Sequence, residues 1–254
     1  MSEQEDLKKF VRDKYTLVAE GKVNCCGPVN SACCGGVQEK IFDLSHGYDR
    51  EEIEALPKGS SLSLGCGNPL SLADVQSGWR VLDLGSGAGV DVFLAAKKVG
   101  QSGSVVGLDM TDAMLEKARH NAAVGGFTNV SFAKGEIETL PFPDNSFDLV
   151  ISNCVINLVP DKTQAYQEIR RVLKPGGRFA VSDIAVRGEM PADIRRSAEA
   201  WAGCIAGAIN LDDYLTILRR VGFTNVEVKY VKEYDFAKTE QYALLSVGLV
   251  GTKP

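Results

Sequence analysis

The chain has 254 residues, 44% hydrophobic and 24% charged, which is long enough to bury one large core and unlike disordered, collagen-like or coiled-coil compositions. With 28 Lys and Arg against 33 Asp and Glu, the net charge of −5 gives no global field to attract nucleic acid or an anionic membrane surface. No apolar run approaches the ~20 residues of a membrane span, and the N-terminus lacks a cationic-then-apolar leader. The expectation is a cytoplasmic protein with neither nucleic acid nor membrane as partner.

Residues 1–78 begin with a charged helix over Glu3 to Glu20. A segment rich in Cys and Gly follows, then turns and short helix that run through LGCGNPLSLADV. This stretch reads as a cysteine-containing extension, a lid or substrate wall, over a core of residues 79–254. From Trp79 the chain alternates strand and helix patterns at parallel α/β spacing. WRVLDL is a strand, GSGAG a tight loop, and Val90 to Val99 a helix. SVVGLDM is the second strand, and Thr111 caps the next helix. NVSFAKG and FDLVISNC are the third and fourth strands.

Asp161 caps the following helix, which Lys-Pro-Gly-Gly ends before the strand GRFAVSDI. Pro191 to Ala208 and LDDYLTILRRVGF read as helices, and NVEVKY with YALLSVGLV as a late strand pair. The expected fold is α/β and Rossmann-like, with helices on both faces of a mostly parallel seven-stranded sheet.

The densest signal is VLDLGSGAG with its following helix. Gly85, Gly87 and Gly89 let the backbone turn at the carboxyl end of the first strand, and Asp109 lies 20 residues after Gly89, where a carboxylate grips ribose hydroxyls. Asp83 selects among ligands: it would repel a dinucleotide pyrophosphate but complement the ammonium and sulfonium of S-adenosyl-L-methionine. The arrangement resembles the class I methyltransferase pattern. That resemblance implies Glu136 at the adenine amino group, Ile137 and Met110 by the ring, and Asn153 beside the reacting methyl. A solvated loop acid is the bland reading of Glu136, and core packing that of Met110.

Seven cysteines without an export signal imply a reducing compartment. Cys66, Cys154 and Cys204 are far apart in sequence yet can meet over the strand ends, where soft thiolates suit a thiophilic substrate or metal. Taken singly, each could equally be a buried small hydrophobe. Cys25, Cys26, Cys33 and Cys34 have the count of a zinc or iron–sulfur site, but adjacent pairs are not knuckle spacing.

The set NCCGP, SACCGG, LGCGNPLSLADVQSGWRVLDLGSGAGVDVFLAAKKVG, GLDMTDAMLEKAR, ISNCVINLVPDK and WAGCIAGA resembles arsenite methyltransferases, from roughly residue 20 onward. The resemblance implies that Cys66, Cys154 and Cys204 hold trivalent arsenic as substrate rather than as a structural metal. It places a further cysteine that pairs with Cys66 at Cys33 or Cys34, and implies arsenic presented as a thiol conjugate with thioredoxin or glutathione as reductant. The chain is similar to the family's shorter form. A lone pair on thiol-bound arsenic can meet the sulfonium methyl without a strong base, so neither His46 nor His120 is required, and His120 reads as solvent-facing. Two alternatives stay open: methylation of a small organic acceptor such as a quinone precursor or sterol, and a thiol-rich metalloid-binding protein without turnover.

Overall fold

The computed structural model describes residues 3–23, 47–62, 64–238 and 241–254; Cys25, Cys26, Cys33, Cys34 and His46 lie outside the described residues. Helix α1 (Glu3–Ala19) and the short α2 (Arg50–Glu54) precede the sheet, and Asp49 caps α2 through the Glu51 and Glu52 N–H groups. The strands are β1 (Arg80–Leu84), β2 (Ser104–Asp109), β3 (Val130–Lys134), β4 (Phe147–Asn153), β5 (Leu173–Gly188), β6 (Thr224–Lys238) and β7 (Tyr242–Thr252). Between them lie α3 (Val90–Val99), α4 (Asp112–Gly125), α5 (Lys162–Val172), α6 (Ala192–Arg196), α7 (Ala198–Ala202) and α8 (Leu211–Val221).

The sheet order is β3-β2-β1-β4-β5-β7-β6. β1 to β5 are parallel, and β7 slots between β5 and β6 antiparallel to both. The chain builds outward from β1 to β3 and returns to place β4 on the other side of β1. The strand order therefore reverses at β1 and β4, and such a switch point opens a crevice at the carboxyl ends. This is the expected mostly parallel seven-stranded sheet.

Both faces are covered, which is why the strands read as continuous apolar runs. Leu82 and Leu84 point to the face packed by Tyr166 and Ile169 of α5 and Tyr214 and Leu218 of α8. Val81 points to the other, against Val92, Phe93 and Val99 of α3. No helix among the described residues is long and apolar enough to cross a membrane.

Several local expectations hold. Asp161 caps α5 by accepting from the Gln164 N–H at 2.9 Å, α3 spans Val90–Val99, and His120 is exposed. Three details differ. Thr111 precedes α4 without a side-chain capping bond; instead the Asp109 carboxylate accepts the Thr111 N–H at 2.9 Å. The Lys-Pro-Gly-Gly segment lies inside the β4–β5 ladder as a shift in register between the Phe147↔Leu173 and Leu149↔Arg178 pairs. The single helix expected over Pro191 to Ala208 is two short helices, because Ser197 leaves helical geometry to accept the Ala200 N–H at 3.1 Å as the cap of α7.

Phe179 is fully buried, with its ring centroid 4.7 Å from that of Phe223 and 5.7 Å from that of Tyr166. Phe179→Ala is expected to lower the unfolding free energy by about 3–5 kcal/mol. Urea denaturation followed by tryptophan fluorescence checks this, and a loss under about 1 kcal/mol would mean the cluster closes over the gap.

Candidate active site

An open cleft of about 1140 Å³ lies at the carboxyl ends of β1, β2 and β4. Asp83, Gly85 and Gly87 line it from the β1–α3 loop, Asp109 and Met110 from the end of β2, Glu136 and Ile137 from the loop after β3, and Asn153 and Cys154 from the end of β4. Gly89 is not among the lining residues; it has φ +100° and starts α3. Lys8, Val11 and Tyr15 of α1 close one side.

Gly85 has φ +68°, and a Cβ there would lie 2.5 Å from Val155 Cγ2, so any side chain would collide with the loop after β4. Asp109 fixes the turn by accepting the Gly87 N–H at 3.0 Å. Around this loop two buried carboxylates, Asp83 and Asp91, crowd together with the half-buried Asp109. Burial, then the charges of Asp91 and Asp109, hold the Asp83 carboxyl well above the usual range. Burial pushes Asp91 up to about 6 despite hydrogen bonds from Tyr48 and Asn153. Burial also raises Asp109, against the N–H groups that it accepts. The charges bearing on Asp83 are thus other carboxylates, an electrostatic deficit that a ligand carrying an ammonium and a sulfonium relieves.

Glu136 faces the cleft from the expected position, but its side chain is engaged by α1. It accepts from Lys8 Nζ at 2.9 Å and Arg12 Nη2 at 3.3 Å, while Glu138 pairs with Lys8 at 2.8 Å. Asn153 is the centre of a network. Its two Nδ2 hydrogens are shared among Gly67 O at 2.8 Å, Tyr48 Oη at 2.9 Å and Asp91 Oδ2 at 3.2 Å, and its Oδ1 accepts the Cys66 N–H at 3.0 Å.

Cys66, Cys154 and Cys204 come from three distant segments and share one buried cluster. All three are free thiols. The Cys66 and Cys154 sulfurs lie within 4.8 Å of each other, whereas Cys204 is not part of that close group and joins the cluster through the Cys154 backbone. The Cys204 Sγ donates to Cys154 O at 2.8 Å, and the Cys66 Sγ to Ser182 O at 3.6 Å. Cys154 and Cys204 both have φ +61°, a left-handed conformation that costs a non-glycine residue roughly 1–2 kcal/mol and accumulates at functional sites.

Burial pushes the Cys66 thiol up to about 11. The bond with Cys204 draws Cys154 down, but its bond with Cys66 and burial leave it well above a free thiol. The bond with Cys154, then burial, raises Cys204 in the same way. At neutral pH the unloaded cluster therefore holds its protons. A carboxylate oxygen of Asp183 lies within 4.8 Å of the Cys66 and Cys154 sulfurs; burial pushes that carboxyl up to about 7.

Sequence reading missed Tyr48, Asp91, Asp183 and Lys162. Asp91 reads as an ordinary acid in the first turn of a helix. Asp183 offered a weaker signal, an acid inside the apolar run of β5, where it is fully buried. Lys162, buried beside α5's cap and lowered by that burial to about 8, offered none.

A family model described as a methyltransferase domain matches residues 75–222. The arsenite methyltransferase of Halobacterium salinarum is 39% identical over 98% of this chain and 67% of its own length. That of Mus musculus is 41% identical over 69% of this chain and 49% of its own, so the chain spans about half the length of this mammalian relative. Among solved structures, an arsenic (III) S-adenosylmethionine methyltransferase from Chlamydomonas reinhardtii matches with TM-score 0.69 and 39% identity, over 78% of this chain and 72% of that one. With the glycine loop and carboxylates at the sheet's switch point, these matches place the chain in the class I S-adenosylmethionine-dependent methyltransferases, closely related to the arsenite methyltransferases.

Proposed function

We propose that the chain transfers methyl groups from S-adenosyl-L-methionine to trivalent arsenic held by Cys66, Cys154 and Cys204. The observation that carries this reading is the gathering of three thiols in one buried cluster behind the donor cleft, with Cys154 lining the cleft, its sulfur within 4.8 Å of that of Cys66 and its carbonyl accepting from Cys204 Sγ. The same reading assigns Asp109 to the ribose hydroxyls, Glu136, Ile137 and Met110 to the adenine end, and Asp83 and Asp91 to the cationic end. Residues 1–78 then act as cover and substrate wall.

When bound, S-adenosyl-L-methionine supplies an electrophilic methyl group. The protein's part is to hold arsenic with its lone pair toward that methyl and to exclude water. Arsenous acid and three protonated thiols condense to a neutral tris-thiolate with loss of three waters, so raised thiol pKa values do not leave net charge in the buried cluster. A thiol conjugate of arsenic would exchange into the site with equal proton balance, releasing its carrier thiols. Methylation oxidises arsenic by two electrons, and thioredoxin or glutathione serves as reductant, with Cys33 or Cys34 as the expected partner of Cys66.

Two outcomes are expected. A cationic donor requires ionised carboxylates, and Asp91 titrates near 6 in the empty cleft. Donor affinity should therefore fall as pH drops through 6, by up to about tenfold per pH unit for each proton displaced. Titration calorimetry from pH 5 to 8 checks this, and affinity unchanged at pH 5 would remove the carboxylates from the binding step.

Cys154→Ser and Cys204→Ser should each cut arsenite methylation by about 100-fold or more while leaving donor affinity within a few-fold. The assay incubates reduced protein with arsenite, donor and thiol, and separates arsenic species by liquid chromatography with elemental mass detection. Wild-type rates in both variants would sink the thiol cage. Methylation of a quinone precursor or sterol with arsenite inert would favour an organic acceptor.

A further inference from the structure

Cys66 is held at every polar group it has. Its N–H donates to Asn153 Oδ1 at 3.0 Å, its carbonyl accepts from Ser246 Oγ at 2.7 Å, and its thiol donates to Ser182 O at 3.6 Å. Of these anchors, Asn153 alone stands between the thiol cluster and the donor cleft, because it follows β4's buried run and precedes Cys154. Close approach is built into the segment: a Cβ on Gly65 would lie 2.6 Å from Asn153 Nδ2.

Asn153 is itself oriented from the cofactor side. Tyr48 Oη donates to Asp91 Oδ1 at 2.6 Å, and both Tyr48 Oη and Asp91 Oδ2 accept from Asn153 Nδ2. Tyr48 and Asp91 are buried, and Asp91 lines the cleft. The amide can satisfy this set in one orientation only: nitrogen toward Tyr48, Asp91 and Gly67 O, oxygen toward the Cys66 N–H.

We propose that Tyr48 and Asp91 are positioning residues for methyl transfer, which act through Asn153 to fix Cys66 against Cys154 and tie that placement to the wall of the donor cleft. The proposal rests on the arsenic reading for the identity of what Cys66 holds, but the placement of Cys66 is a property of the unloaded protein. Its chemical consequence is geometric. Cys66 and Cys154 form the close pair of sulfurs, so the placement of Cys66 sets where arsenic bound to that pair directs its lone pair; a displacement near 1 Å can cost about 100-fold in rate. The Tyr48 hydroxyl accepts from Asn153 and donates to Asp91, so its removal is expected to loosen the Asn153 amide from the side of the donor cleft.

The test compares wild type, Tyr48→Phe, Asn153→Ala and the double variant. Tyr48→Phe keeps the ring and removes one hydroxyl, which limits damage to folding; equal thermal midpoints within a few degrees confirm that. Expected for Tyr48→Phe is a fall in kcat with arsenite of about 10- to 100-fold, donor affinity within about threefold, and a drop from three to two sulfurs around bound arsenic by X-ray absorption. The double variant should be no slower than Asn153→Ala, because both changes break one linkage.

An unchanged kcat with three sulfurs in Tyr48→Phe, or losses that multiply in the double variant, would overturn the proposal. If wild type neither binds nor methylates arsenite, the arsenic reading fails and the positioning claim is judged separately, by peptide mass spectrometry of iodoacetamide labelling at Cys66. Labelling at least about tenfold faster in Tyr48→Phe than in wild type would sustain it, and equal rates would end it.

Discussion

The left-handed backbone at Cys154 is the constraint on which the site depends. β4 is a buried parallel strand, and a regular continuation would carry its next side chains alternately to the two faces of the sheet. Instead φ reaches +61° at Cys154, and the strain is held by a hydrogen bond from its N–H to Ser182 O at 2.8 Å. The result is that two consecutive residues serve one site. Asn153 reaches the Cys66 segment, Tyr48 and α3, while Cys154 joins Cys66 through its sulfur and Cys204 through its carbonyl. Cys204 repeats the same φ at the end of α7, so two of the three sulfurs are presented by backbone that pays a local penalty.

Electrostatics divides the two halves of the site. The donor side concentrates Asp83, Asp91 and Asp109 in low dielectric, where mutual repulsion and burial favour the protonated forms until a cation arrives. The thiol side is the reverse case: its groups are neutral when protonated, and burial keeps them so. Asp183 and Lys162 flank that side, and their opposed burial effects bring a carboxyl near 7 and an ammonium near 8 within range of each other's charge. The site therefore sets a cation-binding end against an uncharged thiol end, with Asn153, which does not titrate, at the boundary.

Much of this was legible because it is local. The glycine loop, the acid at the end of β2 and the apolar runs of β1 to β5 are written in contiguous residues, and their periods identify a parallel sheet with covered faces. The convergence of Cys66, Cys154 and Cys204 depends instead on β1, β4 and β5 being neighbours; their positions near strand ends allowed it, and the family resemblance gave them a shared role. Tyr48, Asp91 and Asn153 interact over separations of 43 and 62 residues through residue types common in any domain, so no motif announces them. The misread helix over Pro191 to Ala208 has the same cause. Small residues favour helix locally, while Ser197 and Cys204 take the angles that α7 and the thiol cluster require.

The role of α1 follows from what holds it down. Its polar links, Lys8 and Arg12 to Glu136 and Lys8 to Glu138, join side chains that are 14–42% exposed, and ion pairs in that range of solvent contact contribute little net stability. The helix is seated by burial of Val11, Val18 and Ala19, with Val18 and Ala19 packed on Met114 of α4. The polar links then decide orientation more than stability. They set Lys8 against the loop at one end of the cleft, while Tyr15 Oη donates to Ala202 O at 3.2 Å, two residues before Cys204. One helix thus spans the donor end and the thiol end, so residues outside the sheet complete a site whose chemistry is borne by its strand ends.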